Sequence, residues 1–216
     1  MRKIYYTLTA LTLSLTSCND LLDRMPDNRL VIDSPEKVQQ ALTNAYPQIA
    51  TTLINEFSSD NIDDIGADNI YSNFLTRETA YWQPILEYNN VDGLQNIWDY
   101  HYKAIGQANA ALDAIETTLH NDASLNPAKG EALVARAYAH FCLVNLFSQA
   151  YNPNTSSSDL GIPYITRPEE EMNPQRQRGT VAQVYQQIAA DLEKGLPLID
   201  DSYYQMPKYH FNKKAA

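Results

Sequence analysis

Two stretches of the chain repeat their apolar residues at the spacing of an α-helix, and the link between them is too short to let them separate. From 94 to 119, Leu94, Ile97, Trp98, Tyr102, Ile105, Ala108, Leu112, Ile115 and Leu119 fall on one face, with Asn109 at its border. From 127 to 148, Leu133, Ala137, Phe141, Val144 and Phe147 repeat in the same way, and further apolar residues surround the cylinder, as in a central helix. About seven residues join the two, which forces an antiparallel pair. The second stretch opens at Asn126-Pro127, a cap followed by a first-turn proline.

Two more segments carry the same period. The first, 35 to 54, opens with Ser34-Pro35-Glu36 and has the stripe Val38, Ala41, Leu42, Ala45, Tyr46, Ile49, Leu53. Pro47 lies inside that stripe and lacks a ladder donor, so a kink or an early stop is expected there. The other, 180 to 199, begins Thr180-Val181-Ala182-Gln183, the pattern of a reciprocal capping box, and continues through Val184, Tyr185, Ile188, Leu192 and Leu196. No stretch of comparable length alternates as a strand does, so the fold class predicted is all-α. The remaining stretches, 55 to 93 and 149 to 179, are long loops, and loops of that length in a compact domain are usually functional or disordered.

Ala137-Tyr138-Ala139-His140-Phe141 has the Ala-x3-Phe spacing of the second helix in a tetratricopeptide repeat. Tyr102 and Ile105 find counterparts in Tyr185 and Ile188, which suggests a second helix pair opening at 180. Its partner would begin near Asn212, so the chain reads as truncated. The stripe of Val184, Ile188 and Leu192 is then expected to lack its packing partner and to leave the C-terminal end partly disordered.

The first residues are an address label. Met1-Arg2-Lys3 is a basic n-region, Ile4 to Ser14 an apolar one, and Leu15-Thr16-Ser17-Cys18 has the form of a lipobox. Residues 1–17 are accordingly expected to be a signal peptide, 18–34 a tether lipidated at Cys18, and 35–216 a helical domain. The formal net charge of -10, spread along the chain, argues against a nucleic-acid partner. With Cys18 acylated, Cys142 has no intrachain partner and is expected to be a small buried hydrophobe on a helix.

Several motifs in order carry a likeness. They are the lipobox at Cys18, Trp98-x3-Tyr102-x2-Ile105-x3-Asn109, and Gly130-Glu131-Ala132-Leu133-Val134-Ala135-Arg136-Ala137-Tyr138-Ala139-His140-Phe141 running on to Phe147. Gly161-Ile162-Pro163-Tyr164 and Arg178-Gly179-Thr180-Val181 leading to Asp191-Leu192 follow. In these the chain resembles the N-terminal part of the SusD/RagB family of outer-membrane nutrient-uptake lipoproteins. The resemblance implies tetratricopeptide-like antiparallel helix pairs with long loops, and a longer whole protein. It implies a cell-surface, lipid-anchored protein of the outer membrane that binds an oligosaccharide or other nutrient. The partner implied is a TonB-dependent SusC-like transporter over which such a protein closes. The family is one of binding proteins, with no catalytic step and no cofactor.

A sugar-binding surface needs flat apolar groups for the C–H face of a pyranose and polar groups for its hydroxyls. The 55–93 loop holds that mixture, and its ligand-binding candidates are Trp82, Tyr81, Tyr71 and Phe74. Trp98, Tyr102, Asn109, Arg136, Tyr138 and Phe141 read as scaffold, with Asn109 and Arg136 paired to backbone or carboxylate across helices. Glu131 is explained by the positive end of its helix. Asp63 and Asp64 are neighbours with nothing to set them across a substrate bond, the four histidines lack metal-ligand spacing, and no nucleophile motif occurs, so an enzyme is not expected. The alternative from another class is a helical-repeat lipoprotein acting as a scaffold in envelope assembly.

Overall fold

The computed structural model describes residues 31–63, 66, 74–85, 90–169 and 176–216. The chain divides after Val31, and Ile32–Ala216 forms the compact unit that carries every element below. Six α-helices occur among the described residues: α1 (Pro35–Thr43), α2 (Thr52–Phe57), α3 (Phe74–Ala80), α4 (Leu94–Thr117), α5 (Asn126–Phe147) and α6 (Val181–Gly195). There is no strand among them, only an isolated antiparallel bridge between Leu160 and Thr180. The all-α reading therefore holds.

The local signals work as their chemistry dictates. Ser34 caps α1 through Lys37 N–H, and Thr180 and Gln183 exchange both bonds of a capping box at α6. Pro47 does more than kink the first segment: α1 stops at Thr43, and α2 is a separate short helix from Thr52. At α5 the cap lies one step earlier than Asn126, because a short 3₁₀ turn over Ala123–Leu125, capped by Asp122, leads straight into the helix.

Helices α4 and α5 are the antiparallel pair. Ala108 and Ala111 of α4 meet Ala128, Ala132 and Ala135 of α5, all buried, and such short side chains let the two backbones approach closely. Val38, Leu42 and Ala45 cover one end of this seam from α1. At the other end Ile105, Leu143 and Val144 pack with Ile162 and Ile165, and with Val184 and Ile188 of α6. A third cluster, Ile54, Leu75 and Ile97, fastens α2 and α3 to α4.

The expectation of an unpartnered α6 is overturned. Val181, Val184 and Ile188 are buried, because α6 lies against the other side of α5 and the 161–165 segment covers the gap. The crossing is close: a Cβ on Gly130 would meet the Gly195 carbonyl oxygen at 2.8 Å, so glycine is required there. The C-terminal end is docked too, through Tyr204, His210 and Phe211. Tyr138 and Phe141 depart from a pure scaffold role. Both are half exposed, on an apolar groove of about 230 Å³ shared with Ile188, Leu192 and Phe211. Cys142 is half-buried on α5 rather than buried, and burial raises its thiol pKa.

Candidate functional site

Inside the 55–93 loop, α3 is too short to show a period, yet it sorts its residues cleanly. Leu75 and Thr79 are buried, Thr79 returning its hydroxyl to the Leu75 carbonyl at 2.7 Å. Phe74 and Arg77 lie on the other side, followed by Tyr81 one turn on. Phe74 is 61% exposed, Tyr81 57% and Trp82 80%. The Arg77 guanidinium stands 4.9 Å from the Phe74 ring centroid, a cation–π contact that holds the ring in place. Three large exposed aromatics thus fall within nine residues of the chain.

The end of α3 sets the backbone of Trp82. Gln83 N–H reaches the Glu78 carbonyl at 2.8 Å and Trp82 N–H the Thr79 carbonyl at 3.1 Å, the bond pair of a Schellman motif. The residue at its left-handed position is normally glycine. Here it is Trp82, with φ 53°. A bulky side chain in that region costs about 1–2 kcal/mol. Neither burial nor backbone preference accounts for a tryptophan there. Of the candidates, Phe74, Tyr81 and Trp82 are each exposed, on α3 and the turn that ends it, and Tyr71 lies outside the described residues, as does Cys18.

Behind the helices, buried polar side chains build the frame on which the loops rest. Arg136 makes a two-pronged ion pair with Asp191, Nε to Oδ2 and Nη2 to Oδ1, each 2.7 Å, and donates from Nη1 to Asn109 at 2.8 Å. Asn109 in turn donates to the Ile165 and Arg167 carbonyls, Tyr102 to that of Pro163, and Arg136 to that of Thr166. The 163–167 segment has no ladder of its own, and these side chains satisfy its backbone. The scaffold reading of Tyr102, Asn109 and Arg136 is what the geometry shows. Burial and the Asp191 charge push the Tyr164 hydroxyl well above its ordinary pKa, so it stays a donor to Asp191 at 2.6 Å.

His140 completes the frame. Its Nδ1 lies 2.8 Å from the Arg136 carbonyl, its Nε2 accepts the Ile165 N–H at 3.1 Å, and its ring stacks on Tyr164 at 3.8 Å. Accepting at Nε2 needs the neutral ring, and burial brings its pKa down to about 4. The unfolded chain takes up this proton near pH 6.5 and the folded chain only near 4, so the stability involved is complete above about 6.5. It falls as pH drops through that window and is gone below about 4, a loss of about 3 kcal/mol. Urea midpoints between pH 7 and 4 should show this slope in the wild type and a flatter one in His140→Gln; equal slopes would refute the assignment.

Glu131 corrects the sequence reading. It is the sixth residue of α5 and fully buried, and it accepts from the Tyr46 hydroxyl, the Tyr204 hydroxyl and His210 Nδ1, the last at 2.7 Å. A carboxylate with three side-chain donors is a structural clasp, which the helix dipole alone would not require. Asp63 is exposed, and Asp64 lies outside the described residues.

Residues 20–216 match the model of a family named SusD-like and described as starch-binding, associating with the outer membrane. The chain belongs to this SusD-like family. No curated protein matches it. Among solved structures, a SusD superfamily protein from Bacteroides fragilis superposes with a TM-score of 0.63 at 22% identity, over 79% of this chain and 41% of its own. Another from Bacteroides thetaiotaomicron gives 0.59 at 22%, over 83% and 40%. A SusD-like carbohydrate binding protein from Bacteroides vulgatus gives 0.53 at 20%, over 83% and 38%. The SusD-like chain thus spans about two fifths of the length of the structures it matches, and the likeness shows the helical fold. No described helix is long and apolar enough to cross a membrane.

Proposed function

We propose that this SusD-like chain belongs to a surface lipoprotein that binds a glycan and delivers it to a TonB-dependent SusC-like transporter in the outer membrane. Phe74, Tyr81 and Trp82 take the sugar rings by stacking, and Tyr71, nearby in sequence, is the fourth candidate. Cys18 is the lipid anchor, with 1–17 the signal peptide, 18–34 the tether and 35–216 the helical domain. The observation that carries the reading is Trp82, a tryptophan kept in a glycine's backbone conformation with its ring in solvent. The match to a family described as starch-binding supports the ligand class.

Trp82→Gly separates binding from folding. Glycine fits the left-handed position, so stability should stay level or rise by up to about 1 kcal/mol, its relief of strain partly offset by a freer unfolded chain. Affinity for the glycan selected on an immobilised panel should fall at least about tenfold, or 1.4 kcal/mol. Unchanged affinity in a stable variant would sink the stacking role. The partner is tested by retrieving the tagged, lipidated protein from native membranes: a large β-barrel transporter supports the uptake reading, and envelope-assembly factors in its place favour the scaffold alternative.

A further inference from the structure

Where α5 ends, its last residues open onto a cavity of about 560 Å³, bounded on the other side by 158–160 and Arg178. That is within the range of small-molecule sites, about 300–1,000 Å³. One wall is apolar, Leu146 and Phe147, and these two pack on the Ile54, Leu75 and Ile97 cluster that anchors α3. The cavity and the aromatics of α3 are therefore fixed to the same piece of core.

The polar lining holds unused hydrogen-bonding capacity. Ser148 Oγ is buried with no partner, alone in this among the described side chains. An orphaned hydroxyl is costly, so such groups call for an explanation. Among the described residues, the side chains of Gln149 and Asp159 make no hydrogen bond or ion pair, although the Asp159 backbone is fully engaged with Thr155 and Val181. Arg178 spends Nε on the Gly161 carbonyl and one Nη2 donor on that of Leu160, and a guanidinium has five donors. The cavity thus offers an amide, a carboxylate and spare guanidinium N–H groups beside an aromatic wall, while the Ser148 hydroxyl lies behind that lining, out of solvent reach. One carboxylate balances one guanidinium, which suits a neutral ligand carrying many hydroxyls.

We propose that this cavity is a second subsite, which holds one neutral sugar ring through its hydroxyls while the exposed aromatics stack others. It rests on the glycan-binding reading above. The test uses calorimetry on the full chain with maltoheptaose, or with the first panel glycan bound if maltoheptaose is not. The paired variant Gln149→Ala/Asp159→Ala touches no other described side chain and should fold normally, as its melting temperature will show. Ser148→Ala removes a hydroxyl that a ligand does not reach and is the control.

The expected result is about tenfold weaker binding in the paired variant, unchanged binding in Ser148→Ala, and a sugar ring in the cavity of the co-crystal. If Trp82→Gly abolishes binding while the paired variant matches wild type, the subsite is overturned and the stacking surface stands. Loss in the paired variant with none in Trp82→Gly would leave the subsite and remove the surface. Ordered water alone in the cavity of a glycan-bound crystal would overturn the subsite, and no binding to any glycan would overturn both.

Discussion

Arg136→Ala is expected to destabilise the domain by about 3 to 5 kcal/mol, the range for removing one partner of a buried ion pair. Arg136 and Asp191 are both less than a tenth exposed, and the alanine leaves the Asp191 carboxylate facing only the Tyr164 hydroxyl. It also strips donors from Asn109 Oδ1 and from the Thr166 carbonyl, leaving the 163–167 segment to the bonds from Tyr102, Asn109 and His140. A domain with a total stability of about 5 to 15 kcal/mol would retain little of it. Arg136→Lys should recover only part, because an ammonium cannot meet both carboxylate oxygens and Asn109 at once. Urea unfolding at pH 7 measures the loss. If Arg136→Ala fell short of wild type by less than about 1 kcal/mol, the pair would not hold the frame together.

That frame shows what a sequence can and cannot disclose. The pairing of α4 with α5 was legible because it is written in local period and a short link. So was the rule that Asn109 and Arg136 must find partners, since a buried polar group without one is too costly. Which partners they find was not legible, because Asp191 lies 55 residues from Arg136 and Asn109 lies 27. Helix α6 was placed correctly and its environment misjudged. Its stripe reads the same whether the covering residues come from the next helix or, as here, from α5 and the 161–165 segment.

The exposed aromatics were half legible. Residue type alone selected Phe74, Tyr81 and Trp82 from the loop, as flat side chains in polar company. The seven-residue helix beneath them is too brief for a hydrophobic period, and the left-handed backbone of Trp82 runs against residue preference, so neither could be read in advance. A position where local preference is violated without gain in packing is where function is to be sought.

Glu131→Ala should act on the other end of the domain, and by as much. The carboxylate gathers Tyr46 from the turn after α1 and Tyr204 and His210 from beyond α6, partners 73 to 85 residues away. The Tyr46 hydroxyl also accepts the Phe211 N–H at 2.8 Å, and the His210 ring stacks on Tyr204 at 3.9 Å, so one acid ties residues 204 to 211 to α5. Burial first, and the Glu131 charge second, push both tyrosines far above their ordinary pKa, which keeps them donors at any moderate pH. Without the acceptor, two phenols and an imidazole are left facing one another. Hydrogen bonds to a charged group contribute about 1.5 to 3 kcal/mol each without adding fully, so a loss of at least about 3 kcal/mol is expected. Protease should then cleave between 204 and 211 well before the α4 and α5 core opens, because the other carboxylate bond there, Lys213 N–H to Asp201 at 2.9 Å, joins the segment to its own flank and not to α5. Glu131→Gln, which keeps the shape and one acceptor, should fall between. Wild-type resistance to protease in Glu131→Ala would mean that the stacked rings, Tyr46 on Phe211 and Tyr204 on His210, hold the segment without the acid.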